Sequence, residues 1–133
     1  MPRAALFPEH PMASILIIDD DETLRTTLAR ALEIFGHNVR QAADGNEGVA
    51  AYRAAPADLV ITDIVMPEKE GLDIIRELRH DYPALRIIAM SGGLAYDPKL
   101  YLHMAARFGA TAVLAKPFDL AELRRVVDAA LQA

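Results

Sequence analysis

The chain has 133 residues, a formal net charge of -5 and 53% hydrophobic residues, which fits one folded domain and excludes global disorder. It contains no cysteine, which excludes a disulfide framework and a thiolate zinc site, and we expect a cytoplasmic location. No apolar stretch is long enough to span a membrane and no basic patch is present, so we expect neither a membrane nor a nucleic-acid partner.

Short apolar runs alternate with amphipathic segments along most of the chain. Residues 1–13 contain three prolines and no periodic pattern, so we expect a flexible leader before a domain at 14–133. Ser14–Ile18 is a continuous aliphatic run typical of a central parallel strand, and a helix is predicted from Glu22 to Phe35, where Gly36 stops it. The other predicted elements are an edge strand at Asn38–Ala42, a helix opened by Asp44 and ended by Pro56, a strand at Asp58–Thr62, a helix at Gly71–Asp81, a strand at Leu85–Met90, a helix that begins at Asp97-Pro98 and ends at Gly109, a strand at Thr111–Ala115 and a last helix capped by Asp119.

This alternation of five strands and five helices is the pattern of consecutive βαβ units. It predicts an α/β fold with a doubly wound, five-stranded parallel sheet that is covered by helices on both faces.

Polar side chains follow four of the predicted strands. They are the acidic run Asp19 to Glu22, then Asp63, Ser91 and Lys116. Ligands of a doubly wound sheet bind beyond the carboxyl ends of its strands, so we expect these side chains to lie together. Clustered carboxylates repel one another, and Mg²⁺ prefers oxygen ligands. The pattern indicates a site for Mg²⁺ and a phosphoryl group, with Asp63 as the nucleophile.

Each of these residues also has an ordinary structural interpretation. An acidic run before a helix commonly caps it, and we expect Asp21 to do so in either case. An aspartate at a strand end is commonly a turn residue, and a lone serine or lysine there is usually exposed. The functional interpretation depends on four strand ends that carry complementary chemistry for one reaction.

Four segments resemble the receiver domain of two-component response regulators: ILIIDDDETLR, DLVITDIVMPEKEGLDII, MSGG and LAKPFDLAEL. The resemblance covers Ser14 to about Leu131, with the motifs in the family's order. It implies the flavodoxin-like strand order 2-1-3-4-5. It also implies a phosphoprotein that receives a phosphoryl group on Asp63 from a sensor histidine kinase or a histidine phosphotransfer protein, and that acts on a downstream protein as a monomer or a weak phosphorylation-dependent dimer.

The resemblance implies roles for individual residues. The Mg²⁺ ligands are Asp19, Asp20, Asp63 and the backbone carbonyl of Val65, while Ser91 is the switch hydroxyl, Lys116 binds the phosphoryl group and Pro117 follows a cis peptide bond. The sequence departs from the family at Val113, where an aromatic residue is usual. The stretch from Ser91 to Lys116 is also longer than usual, so we expect a remodelled start of the fourth helix.

Three other classes of protein remain open at this point. The run from Asp19 to Thr23 also fits the D-x-D-x-T motif of haloacid-dehalogenase-like phosphatases, but no further acidic pair follows Lys116. A pseudo-receiver would bind partners without phosphorylation. The third class is a receiver within a longer kinase or transcription factor. We favour a stand-alone, non-enzymatic receiver because the last helix is followed by no linker. His37, His80 and His103 are interpreted as surface residues.

Overall fold

A computed structural model of the chain describes residues 12–64, 66, 71–91 and 98–132, and only the backbone of 98–102. Strands and helices alternate strictly within this part. In chain order they are β1 (Ser14–Ile18), α1 (Glu22–Ile34), β2 (Asn38–Ala42), α2 (Gly45–Ala54), β3 (Leu59–Asp63), α3 (Gly71–Asp81), β4 (Arg86–Ser91), α4 (Pro98–Phe108), β5 (Ala112–Ala115) and α5 (Leu120–Gln132). None of the described helices has the length and hydropathy needed to cross a membrane.

The strands form one parallel sheet in the order β2-β1-β3-β4-β5, as the sequence predicts. The chain leaves β1 in one direction to reach β2 and then crosses back over β1 to reach β3. The connections therefore reverse direction between β1 and β3, which is the point where ligands bind in doubly wound sheets.

Two apolar cores cover the two faces of the sheet. Successive side chains of a strand point to opposite faces, so Leu16 and Ile18 pack in one core while Ile15 and Ile17 pack in the other. The first core contains buried side chains of α2, α3 and α4, and the second contains those of α1 and α5. The four aliphatic side chains of β1 are fully buried, which accounts for the uninterrupted aliphatic run.

Several element boundaries differ by one residue from the prediction. Asp63 and Ser91 are the last residues of β3 and β4, whereas the sequence pattern placed them just after the strands. The reason is the ladder itself, since Asp63 pairs with Met90 and Ser91 pairs with Ala115. The first helix ends at Ile34, and Phe35 is its C-cap.

The prediction that His37 is a surface residue was wrong. His37 is buried, and its Nδ1 accepts a hydrogen bond of 3.2 Å from the backbone N–H of Ala13. The carbonyl of Ala13 accepts from the N–H of Asn38 at 2.9 Å, so Ala13 packs with the sheet although we assigned it to the leader. Residues 1–11 of that leader lie outside the described residues, and His80 and His103 are exposed as expected.

The C-terminal end of α4 is fastened to α3 by arginine side chains. The Arg79 guanidinium donates to the carbonyl of Gly109 from Nε at 3.1 Å and from Nη2 at 2.8 Å, and to the carbonyl of Pro83 at 2.7 Å. Gly109 ends the helix with a φ of 114°, and the Arg76 guanidinium lies 5.5 Å from the ring centroid of Phe108. This end of α4 is therefore held in place by charge-assisted contacts.

We expect Arg79→Ala to lower the free energy of unfolding by about 2 kcal/mol, because three carbonyl hydrogen bonds to a charged donor are lost together. Urea denaturation monitored by circular dichroism measures the change. Arg30→Ala is the control, since Arg30 is an exposed residue of α1 and its loss should change stability by less than about 0.5 kcal/mol. Equal losses in both variants would contradict the anchoring role of Arg79.

Candidate functional site

Three carboxylates meet at the carboxyl edge of the sheet, where the connections reverse. Asp19 and Asp20 directly follow β1, and Asp63 ends β3. One carboxylate oxygen of each lies within 4.8 Å of the others. Asp19 is fully buried and Asp63 is 8% exposed, whereas Asp20 is exposed. The cluster is therefore closed towards the sheet and open to solvent on the side of Asp20.

Lys116 places its ammonium group between the two buried carboxylates. Its Nζ lies 3.4 Å from Asp19 Oδ2 and 3.3 Å from Asp63 Oδ1. The backbone N–H of Lys116 donates to the carbonyl of Ser91 at 2.7 Å, which holds the start of this side chain against β4. The Lys116–Pro117 peptide bond is cis. Lys116 thus forms ion pairs with two of the three carboxylates.

The turn between β1 and α1 fixes the direction of the Asp19 carboxylate. Asp19 Oδ1 accepts a hydrogen bond of 2.9 Å from the N–H of Asp21, and the N–H of Asp19 donates to the carbonyl of Ala42 at 3.2 Å. Asp21 in turn caps α1, since its Oδ1 accepts from the N–H of Leu24 at 3.1 Å. The predicted helix cap and the acidic cluster are therefore parts of the same turn.

Burial raises the pKa of Asp63 to about 6. The charge of Lys116 opposes this shift, while the carboxylate of Asp19 adds to it. Burial also raises the pKa of Asp19, against the opposing effects of the Asp21 N–H and of Lys116. Burial is thus the largest cause of both raised pKa values, and Lys116 opposes it only in part.

This donor set fits a hard divalent cation. Mg²⁺ is bound in proteins by one or two carboxylates, and it keeps several of its waters because it dehydrates reluctantly. Here Asp19, Asp20 and Asp63 offer oxygen ligands, and the exposed side at Asp20 leaves room for water or a phosphoryl oxygen. Val65, whose backbone carbonyl is a metal ligand by the resemblance described above, lies outside the described residues.

Ser91 brings a buried hydroxyl to the same edge of the sheet. The residue is 1% exposed, and its Oγ has no hydrogen-bond partner among the described residues. A buried polar group without a partner costs about 1–3 kcal/mol. Ser91 lies one position beyond Met90, the strand partner of Asp63, so the residue ends β4 at the same edge of the sheet.

Gly71 is a residue of the site that the sequence analysis missed. A Cβ at this position would lie 2.0 Å from the carbonyl oxygen of Asp63, and the Gly71 N–H donates to the carbonyl of Ile64 at 2.8 Å. The start of α3 therefore lies directly against the backbone of Asp63. Glycine at the first position of a helix was the available signal, since no larger residue allows this approach.

The remaining predicted positions lie at the edge of the site or beyond the described residues. Val113 of β5 is 37% exposed, and its side chain occupies the position where the family usually has an aromatic ring. The glycines and Asp97 of the loop after Ser91 lie outside the described residues.

Comparison with known proteins identifies relatives over most of the chain. Residues 15–128 match the family described as "Response regulator receiver domain". The chain is 43% identical to the DNA-binding transcriptional regulator NtrC of Azospirillum brasilense over 90% of this chain and 24% of that protein. Among solved structures, a response regulator receiver domain protein from Clostridium thermocellum has a TM-score of 0.84 at 31% identity, covering 91% of this chain and 95% of that chain. The chemotaxis protein CheY4 of Vibrio cholerae has a TM-score of 0.80 at 28% identity, covering 90% and 99%.

The chain spans about a quarter of the length of the NtrC relatives that it matches. It spans nearly the full length of the two receiver structures. The shared part is therefore the receiver unit, which confirms the resemblance seen in the sequence.

We expect Asp63→Asn to stabilise the domain at pH 7.5 without divalent cations, by roughly 1–3 kcal/mol. The folded domain holds the Asp63 proton with a pKa of about 6, above the ordinary value of 3.8, so ionisation of this group disfavours folding. The contribution of Asp63 to stability therefore falls as the pH rises from about 4 through 6, and the gain from asparagine should shrink at pH 4.

Urea denaturation at both pH values in EDTA measures this difference. Asp73→Asn is the matched control, because Asp73 is an exposed carboxylate of α3 outside the cluster. A variant Asp63→Asn that is no more stable than the wild type at pH 7.5 would show that burial of this charge costs nothing.

Proposed function

The chain belongs to the family of response regulator receiver domains, and we propose that it accepts a phosphoryl group on Asp63 from a histidine kinase or a histidine phosphotransfer protein. The observation that carries this proposal is the position of Lys116 Nζ, 3.3 Å from Asp63 and 3.4 Å from Asp19 within a cluster of three carboxylates. This arrangement supplies a nucleophile, ligands for a cation and a counter-charge for phosphoryl oxygens in one place.

The reaction transfers a phosphoryl group between two side chains. A carboxylate oxygen of Asp63 attacks phosphorus in line with the phosphohistidine bond, the P–N bond breaks, and the histidine leaves with the electron pair. Asp19, Asp20 and Asp63, with the backbone carbonyl of Val65, would hold the Mg²⁺ that offsets the charge of the phosphoryl oxygens. The raised pKa of Asp63, about 6, leaves it mostly ionised at neutral pH and therefore ready to attack.

Two further side chains bind the phosphorylated product. Lys116 can pair with a phosphoryl oxygen while Asp19 remains beside it, because its Nζ already lies within 3.4 Å of both carboxylates. The Ser91 hydroxyl, which has no partner among the described residues, donates to another phosphoryl oxygen. Binding of this hydroxyl is the step that couples phosphorylation to the loop after β4.

The conformational signal is proposed to leave the site through the start of α4. The far end of this helix is fixed by Arg79 at Gly109, so a displacement after Ser91 moves mainly its N-terminal end. Val113 is small and stiff at χ1, and it cannot report the change by a large rotamer swing. Residues 92–97 lie outside the described residues, and the downstream partner is proposed to be a protein that binds at the start of α4.

The proposal extends to a single receiver that acts in the cytoplasm, where kinases use ATP, as a monomer or a weak phosphorylation-dependent dimer. A net charge of -5 supports a protein target over nucleic acid. The NtrC relatives are about four times longer, and DNA binding is part of their name.

We expect the protein to become phosphorylated by acetyl phosphate in the presence of Mg²⁺, and the variant Asp63→Asn to remain unlabelled because it lacks the nucleophilic oxygen. A phosphate-affinity gel of wild type, Asp63→Asn and the control Asp73→Asn, each with Mg²⁺ or EDTA, measures this. Wild type and Asp73→Asn should shift equally with Mg²⁺, and much less with EDTA.

Three other results would contradict the proposal in different ways. Equal labelling of Asp63→Asn would place the acceptor elsewhere. No labelling of the wild type, also with a phosphorylated histidine phosphotransfer protein, would favour a phosphorylation-independent binding module. Multiple turnover of para-nitrophenyl phosphate would favour a phosphatase.

A further inference from the structure

Arg25 makes two hydrogen bonds that join the metal-site turn to the neighbouring strand. Its Nη1 donates to the backbone carbonyl of Asp19 at 2.8 Å, and its Nε donates to the side-chain oxygen of Gln41 at 3.0 Å. Its backbone N–H donates to the carbonyl of Asp21 at 2.9 Å within α1. The half-buried side chain therefore folds back from the helix over residues 19–21 and reaches β2.

These contacts complete the set of hydrogen bonds that fix Asp19. The N–H of Asp19 is held by Ala42, its Oδ1 by the N–H of Asp21, and its carbonyl by Arg25. A carbonyl that leaves a strand for a turn has no partner in the ladder, and a rotation of this peptide would also rotate the carboxylates of Asp19 and Asp20. The charged donor at 2.8 Å opposes that rotation.

Arginine is the residue type that this geometry requires. Its planar guanidinium presents several N–H donors in a fixed fork, so one side chain reaches an acceptor in the turn after β1 and another on β2. The single ammonium nitrogen of a lysine lacks this fixed geometry. The function of Arg25 can therefore be separated from its charge by exchanging it for lysine.

We propose that Arg25 is a positioning residue of the metal site, which holds the turn at 19–21 so that the carboxylates of Asp19 and Asp20 converge with Asp63 before a cation binds. The inference deepens the proposed function and rests on it for the identity of the cation. A site whose ligands are already oriented binds its ion more tightly, because less freedom is lost on binding.

Charge alone predicts the opposite effect. A cationic side chain close to the cluster repels Mg²⁺, so a purely electrostatic role means that removing the charge of Arg25 tightens metal binding. A positioning role means that metal binding weakens when the guanidinium is lost, whether or not the charge is kept. The sign of the change in affinity separates the two.

The test is isothermal titration of Mg²⁺ into the unphosphorylated protein at pH 7.5 and at a temperature where every variant is folded. We expect Arg25→Lys to raise the Mg²⁺ dissociation constant by about tenfold, as is typical when a residue that orients metal ligands is lost. Arg25→Gln should also weaken binding although it removes a repulsive charge. Gln41→Ala, which deletes the partner of Nε at unchanged charge, should weaken binding by a smaller factor.

Arg30→Lys and Arg30→Gln are the matched controls on the exposed side of the same helix, and they should stay within about twofold of the wild type. Urea denaturation in EDTA records the structural effect of each variant separately. Arg25 variants that lose stability but bind Mg²⁺ like the wild type would overturn the proposal, as would tighter binding by Arg25→Gln. No Mg²⁺ binding by the wild type would contradict the proposed function itself, and the inference with it.

Discussion

The burial of two carboxylates at the junction of β1 and β3 is the constraint on which the rest of the site depends. Asp19 and Asp63 lose solvation at this edge, and Lys116 compensates them only in part, as the pKa of about 6 for Asp63 shows. Three carboxylates meet there, and among the described residues Lys116 is the cation that forms ion pairs with two of them. The domain therefore favours a ligand that brings positive charge to the cluster, and a divalent cation does so by offsetting the repulsion among the carboxylates.

The surrounding structure keeps this unfavourable arrangement in place through backbone contacts. Gly71 lets the start of α3 lie against the carbonyl of Asp63, and the N–H of Lys116 is bound to β4. The Arg25 guanidinium donates a hydrogen bond to the backbone carbonyl of Asp19. Elements on both faces of the sheet thus converge on one edge, which is how a fold of local βαβ units supports a site whose residues are far apart in sequence.

The sequence was sufficient to predict the fold and the members of the cluster for a physical reason. Parallel strands end at the same edge of a sheet, so the positions of Asp19, Asp63 and Lys116 relative to their strands imply their proximity. Gly71 and Arg25 lie within predicted helices, so their positions in the sequence do not imply that they are close to the cluster. The role of Gly71 depends on the lack of space for a Cβ, which would lie 2.0 Å from the carbonyl oxygen of Asp63. The role of Arg25 depends on the 2.8 Å distance from its Nη1 to the carbonyl oxygen of Asp19, and only the packed structure defines both.

Errors in the sequence analysis have a similar origin. His37 was interpreted as a surface residue because the sequence offers it no second ligand at metal spacing, but its ring accepts the hydrogen bond of a backbone N–H that precedes β1. Asp63 and Ser91 were placed one residue outside their strands because apolar patterns end before the hydrogen-bonded ladder does. Hydropathy reports burial, and burial and backbone pairing end at different residues here.

We propose that Mg²⁺ offsets the charge of a carboxylate cluster in which burial raises the pKa of Asp63 to about 6. The most direct measurement is the Mg²⁺ dissociation constant of the wild-type protein between pH 5 and pH 8, by isothermal titration. Because a metal ligand must be deprotonated, affinity should rise by roughly tenfold per pH unit below about 6 and level off above it. An affinity that stays constant from pH 5 to pH 7 would contradict the account, since it would show that Asp63 is not the group on which the cation depends.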